Sequence, residues 1–520
     1  MPRIVLVCVL IASFAAMAGC GINPVTGAKE LQFVSTGQEI EMGRSNYQPA
    51  QQSQGGTYLL DPELNRYVQE VGVRLARVSD RADLPYEFTV LNNSVPNAWA
   101  LPGGKIAVNR GLLTGLDNEA ELAAVLGHEI VHAAARHGAK GMERGMLLQA
   151  GVAGVGLASS SSKYADMMVG SALLGANLIN QRYSREHELE GDYYGMQYMA
   201  RAGYDPRAAV TLQEKFVKLS ANRNSSWLAG LFASHPPSQE RVNVNRQTAA
   251  RLPAGGDTGH QRYQQRIAGL LKDKPAYDAY DDAVAALGKE DIDAADRSID
   301  KALRLQPREA LFPGLKGDIL FQRRQLRQAA DQYQRAIRLN GNYYRFHQQL
   351  GLVQAELGDR AAARDSLARA NGLLPTAASS YALGMLARRE HRPEEARRYL
   401  AMAAQSDSAV GLQARNELAA LILEQEPEQL IVPALQLMAD GSLAILTTNN
   451  APIPLSNVTL QVVLILDRTR KVLERTLVIP GTIDPGDTYR EVLPDRIDRQ
   501  TFPRLHVSYR VLRAVPAPAR

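Results

Sequence analysis

The chain has 520 residues, 45% hydrophobic and 22% charged, with a formal net charge of +5. This is enough length for three or four domains, and the composition is that of ordinary packed globular protein rather than a disordered or fibrous chain. The weak positive balance contains no dense Lys/Arg run, so no nucleic-acid partner is expected.

Residues 1–19 read as an address and not as fold. Arg3 supplies a positive start, Ile4 to Ala16 a short apolar run, and Met17-Ala18-Gly19-Cys20 brings small residues up to a cysteine. This is the pattern of a secretory signal peptide, too short for a comfortable membrane span. Its ending resembles the lipobox of bacterial lipoproteins, which implies cleavage before Cys20 and lipidation of its thiol. A plain secreted protein and an uncleaved anchor are the alternatives. Cys8 and Cys20 are the two cysteines of the chain, so the mature protein would hold no disulfide even in an oxidising compartment. Several acyl chains on one cysteine anchor a protein stably to a bilayer. Gly21, with no Asp there, resembles lipoproteins sorted to the outer membrane, so the expected localisation is the periplasm, lipid-anchored, at that membrane.

Residues 20–50 read as a lipidated N-terminus and polar linker, with Asn23-Pro24-Val25-Thr26-Gly27 as a turn. A metallopeptidase domain is predicted over 51–265. From Thr57 to Ala76 apolar residues recur at helical spacing (Leu60, Leu64, Val68, Val71, Leu75). Residues 86–91 alternate like a strand, Pro102-Gly103-Gly104 marks a turn, and Lys105 to Asn109 is a second short strand. A small sheet packed on the following helix is predicted, with the Lys105–Asn109 strand free to pair with an extended substrate.

The following helix carries His128-Glu129-Ile130-Val131-His132. Positions i and i+4 share a helix face, so both imidazoles can reach one zinc ion, and Glu129 is placed to act as general base. Asn118 and Glu121 fit a capping box at the helix start. Two histidines do not complete a zinc site; a third protein ligand must come from elsewhere, with one position left open. The run Ser184 to Asp192 (SREHELEGD) offers Glu188 as a ligand and Asp192, one turn on, as the group that orients a ligand imidazole. On residue chemistry alone Glu186, His187 and Glu190 are rivals. His235, in Ser234-His235-Pro236-Pro237, is a further catalytic candidate, able to hydrogen-bond the oxyanion; the plainer reading is a loop histidine before the next helix. Arg241 is a weaker candidate for the same electrostatic work. His137, His260, His347, His391 and His506 are expected to have no metal role. The Gly-, Ala- and Leu-rich stretch 145–180 reads as a pair of core helices, or as a lid or membrane-dipping surface.

Residues 276–420 repeat. Ala295, Ala329, Ala363 and Ala396 are spaced by 34, 34 and 33, and Ala302, Ala336, Ala370 and Ala403 keep the same spacing. Gly317, Gly351 and Gly384 follow it too. A period near 34 with small residues at fixed offsets predicts tetratricopeptide (TPR) repeats over 272–425, stacked into an α-solenoid. After Pro427 the segments 443–448, 458–466, 472–479 and 505–512 alternate or are β-branched between turn signals, which predicts a β-sandwich over 428–520. The fold class is thus multidomain and mainly α: an α+β zincin-like metalloprotease domain, a TPR α-solenoid and a C-terminal β-sandwich.

Together VPNAWALPGG, HEIVH, SREHELEGD and SHPPSQER resemble the gluzincin clan of HtpX and the CAAX prenyl proteases, and with a lipoprotein start and repeats the chain is most similar to the periplasmic BepA-type metalloproteases. The resemblance is specific over residues 23–250 and extends to 276–420 at the level of repeat type. It implies a zinc metalloendopeptidase with one Zn2+ per chain, held by His128, His132 and, as third ligand, Glu188. Asp192 is the Asp of the family's E-x-E-x-D pattern, preceded by Gly191 where relatives usually have Ala. It further implies that His235 can occupy the open zinc position and keep the enzyme latent. The expected partners are protein or peptide substrates, the outer-membrane protein assembly machinery through the TPR groove, and the membrane through the lipid anchor. The alternative is a largely latent protease acting as a TPR chaperone or assembly scaffold; a metalloprotease within a membrane-bound secretion complex is a third reading.

Overall fold

The computed structural model describes residues 20–143, 183–221, 234–467 and 470–517. The predicted signal and the 145–180 stretch therefore lie outside the described residues. The chain divides into two compact units, Met1–Leu357 with Gly372–Leu374, and Gly358–Asn371 with Pro375–Arg520.

The first unit opens with a hairpin of β1 (Cys20–Ile22) and β2 (Lys29–Leu31). Asn23 shapes its turn by accepting from the backbone N–H groups of Val25 and Thr26. Helix α1 (Thr36–Ser53) follows, started by a capping box between Ser35 and Gln38. The segment read as a polar linker thus folds onto the protein. Its helix escapes a search for apolar periodicity because it buries Glu39, Gly43, Asn46, Tyr47 and Gln52. Two of these are matched from far along the chain: Glu39 pairs with Arg81 and Arg136, and the Tyr47 hydroxyl donates to the Ile106 carbonyl at 2.6 Å.

Helix α2 (Pro62–Ala76) begins where Asp61 caps the Leu64 N–H, with Pro62 at the first helical position. Three strands come next: β3 (Glu87–Leu91), β4 (Ala98–Leu101) and β5 (Lys105–Asn109), in the order β3-β5-β4. β3 runs parallel to β5, and β4 antiparallel to it. The strand expected to accept a substrate, Lys105–Asn109, is therefore central, with both edges taken; the edge strands are β3, which Thr57 bridges at Leu91, and β4. The pleat alternates as period two requires. Phe88, Val90, Ile106 and Val108 enter the main core, while Leu91, Trp99, Leu101 and Ala107 meet Tyr47 and Ala50 of α1.

Helix α3 (Glu119–Ala134) is buried at every residue, including Glu119, Glu121, His128, Glu129 and His132. Against it pack α4 (Arg185–Arg201) and α5 (Arg207–Ala221), and α6 (Gln239–Arg251) packs on both of those. The unit continues through α7 (His260–Leu287), α8 (Ile292–Leu305), α9 (Leu311–Gln322), α10 (Leu326–Leu339) and α11 (Tyr344–Glu356). One apolar core runs from Val25 through α3 to Phe346. A buried polar knot fixes this junction: Glu309 accepts from Asn92, Tyr277 and the Leu311 N–H, and the Arg110 guanidinium lies 3.3 Å over the Tyr277 ring.

The second unit contains α12 (Arg360–Leu373) apart from its last two residues, α13 (Ala377–Arg389), α14 (Pro393–Ala403) and α15 (Ala409–Gln425), then seven strands. All eight periodic alanines are fully buried. β8 (Leu455–Leu466) pairs with β9 (Arg470–Val478), β10 (Thr482–Ile483) and β12 (Leu505–Pro516). The second sheet has the order β11-β7-β6, with β6 Ile431–Leu437, β7 Ser442–Asn449 and β11 Thr488–Arg496. Leu443, Ile445, Leu460, Val462 and Leu464 form the core between them, joined by Ala419 and Leu423 of α15. β6 and β11 were not anticipated: both are edge strands holding a proline, Pro433 and Pro494, which weakens their strand signal. Among the described residues no helix is long and apolar enough to cross a membrane.

Candidate metal centre

Asn118 starts α3 by accepting the Glu121 N–H at 2.9 Å. Glu121 does not close the expected box on its cap; its carboxylate reaches the Asp117 N–H at 2.8 Å and also takes Lys215 at 3.0 Å. The helix then crosses α4 at glycines. A Cβ on Gly195 would stand 3.0 Å from the His128 N, and one on Gly191 2.7 Å from the His128 ring. The missing methyl at Gly191, small as it looks in the sequence, is the space the imidazole fills.

This close crossing brings three distant segments to one point. His128, His132, Glu188 and His235 each offer a ligand atom, all within 4.8 Å of one another, and all four are buried. The two Nε2 atoms of His128 and His132 are 2.9 Å apart. Nδ1 of His235 is 3.3 Å from His128 Nε2 and 2.9 Å from Glu188 Oε1. Glu129 lies alongside, 3.5 Å from His235 Nε2, and its buried Oε2 has no hydrogen-bond partner among the described residues. Asp192 accepts from Nδ1 of His128 at 2.9 Å. Arg241 in turn holds Asp192 in a fork of 2.8 and 2.7 Å, sits 2.8 Å from Glu188 Oε2, and is assisted by Asn245. Ser238 caps α6 and so aims Arg241.

The donor set suits zinc: imidazole nitrogens and one carboxylate oxygen. The charge suits it too. Glu129, Glu188 and Asp192 are buried acids and Arg241 the buried guanidinium among them, so with neutral imidazoles the acids outnumber the base, an excess that a divalent cation would match. Burial disfavours the Glu188 anion, but His235 and His128 outweigh it and hold the carboxyl well below its usual range. Burial likewise opposes Asp192, yet Arg241 and His128 bring it down to about 2. His128 is raised to about 10, because Glu188 and Asp192 overcome its desolvation. His132 and His137 are pushed down, first of all by burial. Glu129 is raised by burial against the opposing pull of His235 and His128, the condition of a carboxylate that can both take and return a proton.

Of the rivals for third ligand, Glu186 is exposed, His187 stacks on His137 with centroids 4.0 Å apart, and Glu190 pairs with His137 at 3.0 Å. His137, expected to have no metal role, is not in this cluster but touches one of its members: its Nδ1 is 2.8 Å from Nδ1 of His132. Tyr183, which no pattern singled out, stacks on His132 at 3.8 Å. Beside Glu129 opens an apolar pocket lined by Ala98, Val125, Met196, Leu212 and Phe216.

Residues 62–249 match Peptidase family M48, and residues 317–358 match a TPR repeat. The beta-barrel assembly-enhancing protease of Escherichia coli (strain K12) is 32% identical over 235 residues, 44% of this chain and 47% of that protein. The mitochondrial metalloendopeptidase OMA1 of Schizosaccharomyces pombe is 34% identical over 221 residues, 42% of this chain and 63% of that protein. A TPR protein of Thermus thermophilus aligns at 20% identity and TM-score 0.26, covering 41% of this chain and 99% of its own. The chain spans about half the length of the beta-barrel assembly-enhancing proteases it matches. It thus contains an M48 metallopeptidase domain together with TPR repeats.

Proposed function

We propose that this chain is a zinc-dependent metalloendopeptidase of outer-membrane protein quality control, which cleaves unfolded or stalled proteins and recruits them or their assembly machinery through its TPR repeats. The convergence of His128, His132 and Glu188 beside a Glu129 carboxylate oxygen that has no partner among the described residues carries this reading. These three residues would hold one zinc ion, which when bound supplies Lewis acidity, making water nucleophilic near neutral pH and polarising the scissile carbonyl. Glu129 takes the proton of the attacking water on its free oxygen and returns it to the leaving amine. Asp192, fixed by Arg241, keeps the His128 ring turned toward the metal. An extended segment would run along the edge of β4, whose Ala98 also lines the pocket beside Glu129, and would place an apolar side chain there.

Lipidation of Cys20 would tether the enzyme in the periplasm at the outer membrane. The reading is tested with Glu129→Gln: zinc content stays at one per chain while peptide hydrolysis is lost, and an active variant would sink it. One observation favours a second reading. With His235 Nδ1 2.9 Å from Glu188 Oε1, four protein donors close the site, as in a structural or latent zinc centre. A latent scaffold predicts no casein cleavage by the wild type or by His235→Ala; a latched protease predicts chelator-sensitive cleavage that rises in His235→Ala.

A further inference from the structure

Resting on the zinc-site reading above, we propose that His137 and Glu190 are positioning residues for the second histidine ligand: they form a relay that places the His132 proton on Nδ1 and thereby leaves Nε2 bare as a metal donor. Facing nitrogens of two imidazoles form a hydrogen bond when one carries the proton and the other does not. Here the facing pair is Nδ1 of His132 and Nδ1 of His137, 2.8 Å apart. The other nitrogen of His137, Nε2, lies 3.0 Å from Glu190 Oε2. An ionised carboxylate only accepts, so the proton of neutral His137 resides on Nε2. Its Nδ1 is then an acceptor, and the His132 nitrogen opposite must be the donor. The free lone pair of His132 falls on Nε2, the atom 2.9 Å from His128 Nε2 and 3.5 Å from Glu188 Oε1.

The backbone is built to deliver this contact. α3 ends at Ala134, and Arg136 takes φ 62, a left-handed conformation uncommon for a residue with a side chain. That turn swings His137 back under the last turn of the helix. Arg136 is held in it by Glu39 and the Val34 carbonyl. The His137 ring is fully buried, stacked on His187 and set edge-on to His132 at 68°. Tyr183 covers a face of His132 at an interplanar angle of 16°. The two ligand imidazoles are therefore oriented by different means. His128 donates directly to Asp192, whereas His132 reaches its carboxylate through a second imidazole.

Three measurements on the chain lacking residues 1–19 test the relay: zinc affinity by chelator competition, the 15N shifts of histidine in the metal-free protein, and thermal melting as a control for folding. The metal-free wild type should show His132 as the Nδ1–H tautomer. His137→Phe keeps a ring in the stack but removes the acceptor; it should shift His132 toward Nε2–H and weaken zinc binding by about 10–100-fold. His137→Asn, whose carbonyl oxygen replaces the acceptor, should recover most of that loss, and Glu190→Ala should lose less than His137→Phe. A role in folding alone would lower the melting temperature of all three without changing the tautomer. Nε2–H on His132 in the wild type, or unchanged zinc affinity in His137→Phe, would overturn the relay and leave the site reading intact. No zinc binding by the wild type would overturn both. Should His137→Phe fail to fold, the wild-type tautomer and Glu190→Ala still decide.

Discussion

Where α3 crosses α4, glycine meets glycine, and the His128 N stands 3.0 Å from the position of a Gly195 Cβ. Where α9 crosses α10, Gly317 meets the flat ring of Tyr333, 2.5 Å from the position of its missing Cβ. Both crossings use an absent side chain to bring helices close, yet to different ends. In the repeats the space is filled with apolar surface, and each repeat needs the same filling, so the device recurs with a period. At the metal centre the closeness brings together groups that repel or desolvate one another. Such an arrangement costs stability unless every charge is matched.

The difference predicts a steep contrast in how the two regions respond to change. Removing the buried guanidinium is expected to have the largest effect. Arg241→Met leaves Asp192 and Glu188 without their base, at a cost of about 3–5 kcal/mol in the metal-free protein, measured by denaturant unfolding. Its pH signature is distinct. In the wild type the Asp192 pKa is lowered to about 2, with burial opposing and Arg241 prevailing. A lowered carboxyl stabilises the fold above its unfolded pKa, and that contribution is lost as pH falls through the folded value. The wild type should therefore keep this contribution down to about pH 4 and lose it toward pH 2. In Arg241→Met, where burial acts without Arg241, the loss should begin at higher pH.

A matched pair sharpens the comparison. Gly195→Ala pushes a methyl against backbone that cannot retreat, costing about 1–3 kcal/mol and lowering zinc affinity as well. Gly317→Ala displaces the Tyr333 ring at a similar cost of about 1–3 kcal/mol, but zinc affinity should be unchanged. If Gly317→Ala lost zinc, the two crossings would not be independent. At the small end stands Arg185, whose exposed pair with Glu240 joins α4 to α6. Arg185→Ala should leave the melting temperature where it was, because screened surface pairs contribute little. A clear drop would mean that the site depends on its rim as well as on its buried charges.

The repeats were legible because each alanine and glycine of the pattern answers to a neighbour at a fixed offset. The metal helix was legible because His128 and His132 are one turn apart on the same element. The third ligand was not: Glu186, His187, Glu188 and Glu190 have similar chemistry, and family resemblance, not the residues, favoured Glu188. Helix α1 was missed because its buried face is polar, and its partners Arg81, Arg136 and Ile106 lie far along the chain. The substrate edge was assigned to β5 because alternation marks a strand without saying which neighbours it has. His137 was set aside because it lies outside the ligand motif, and the left-handed turn at Arg136 that returns it to His132 has no strong sequence signature.

The sequence by itself determined what is local: the i, i+4 histidine pair, the Asn118 cap, the 34-residue period and the alternation of the longer strands, each set by interactions within a turn or between adjacent helices. The tertiary structure alone decided which edge of the sheet is open, which carboxylate turns toward the imidazoles, and how each imidazole is oriented. Those outcomes depend on hydrogen bonds and charges between segments up to about a hundred residues apart. Their strength comes from burial, which exists once the chain has folded.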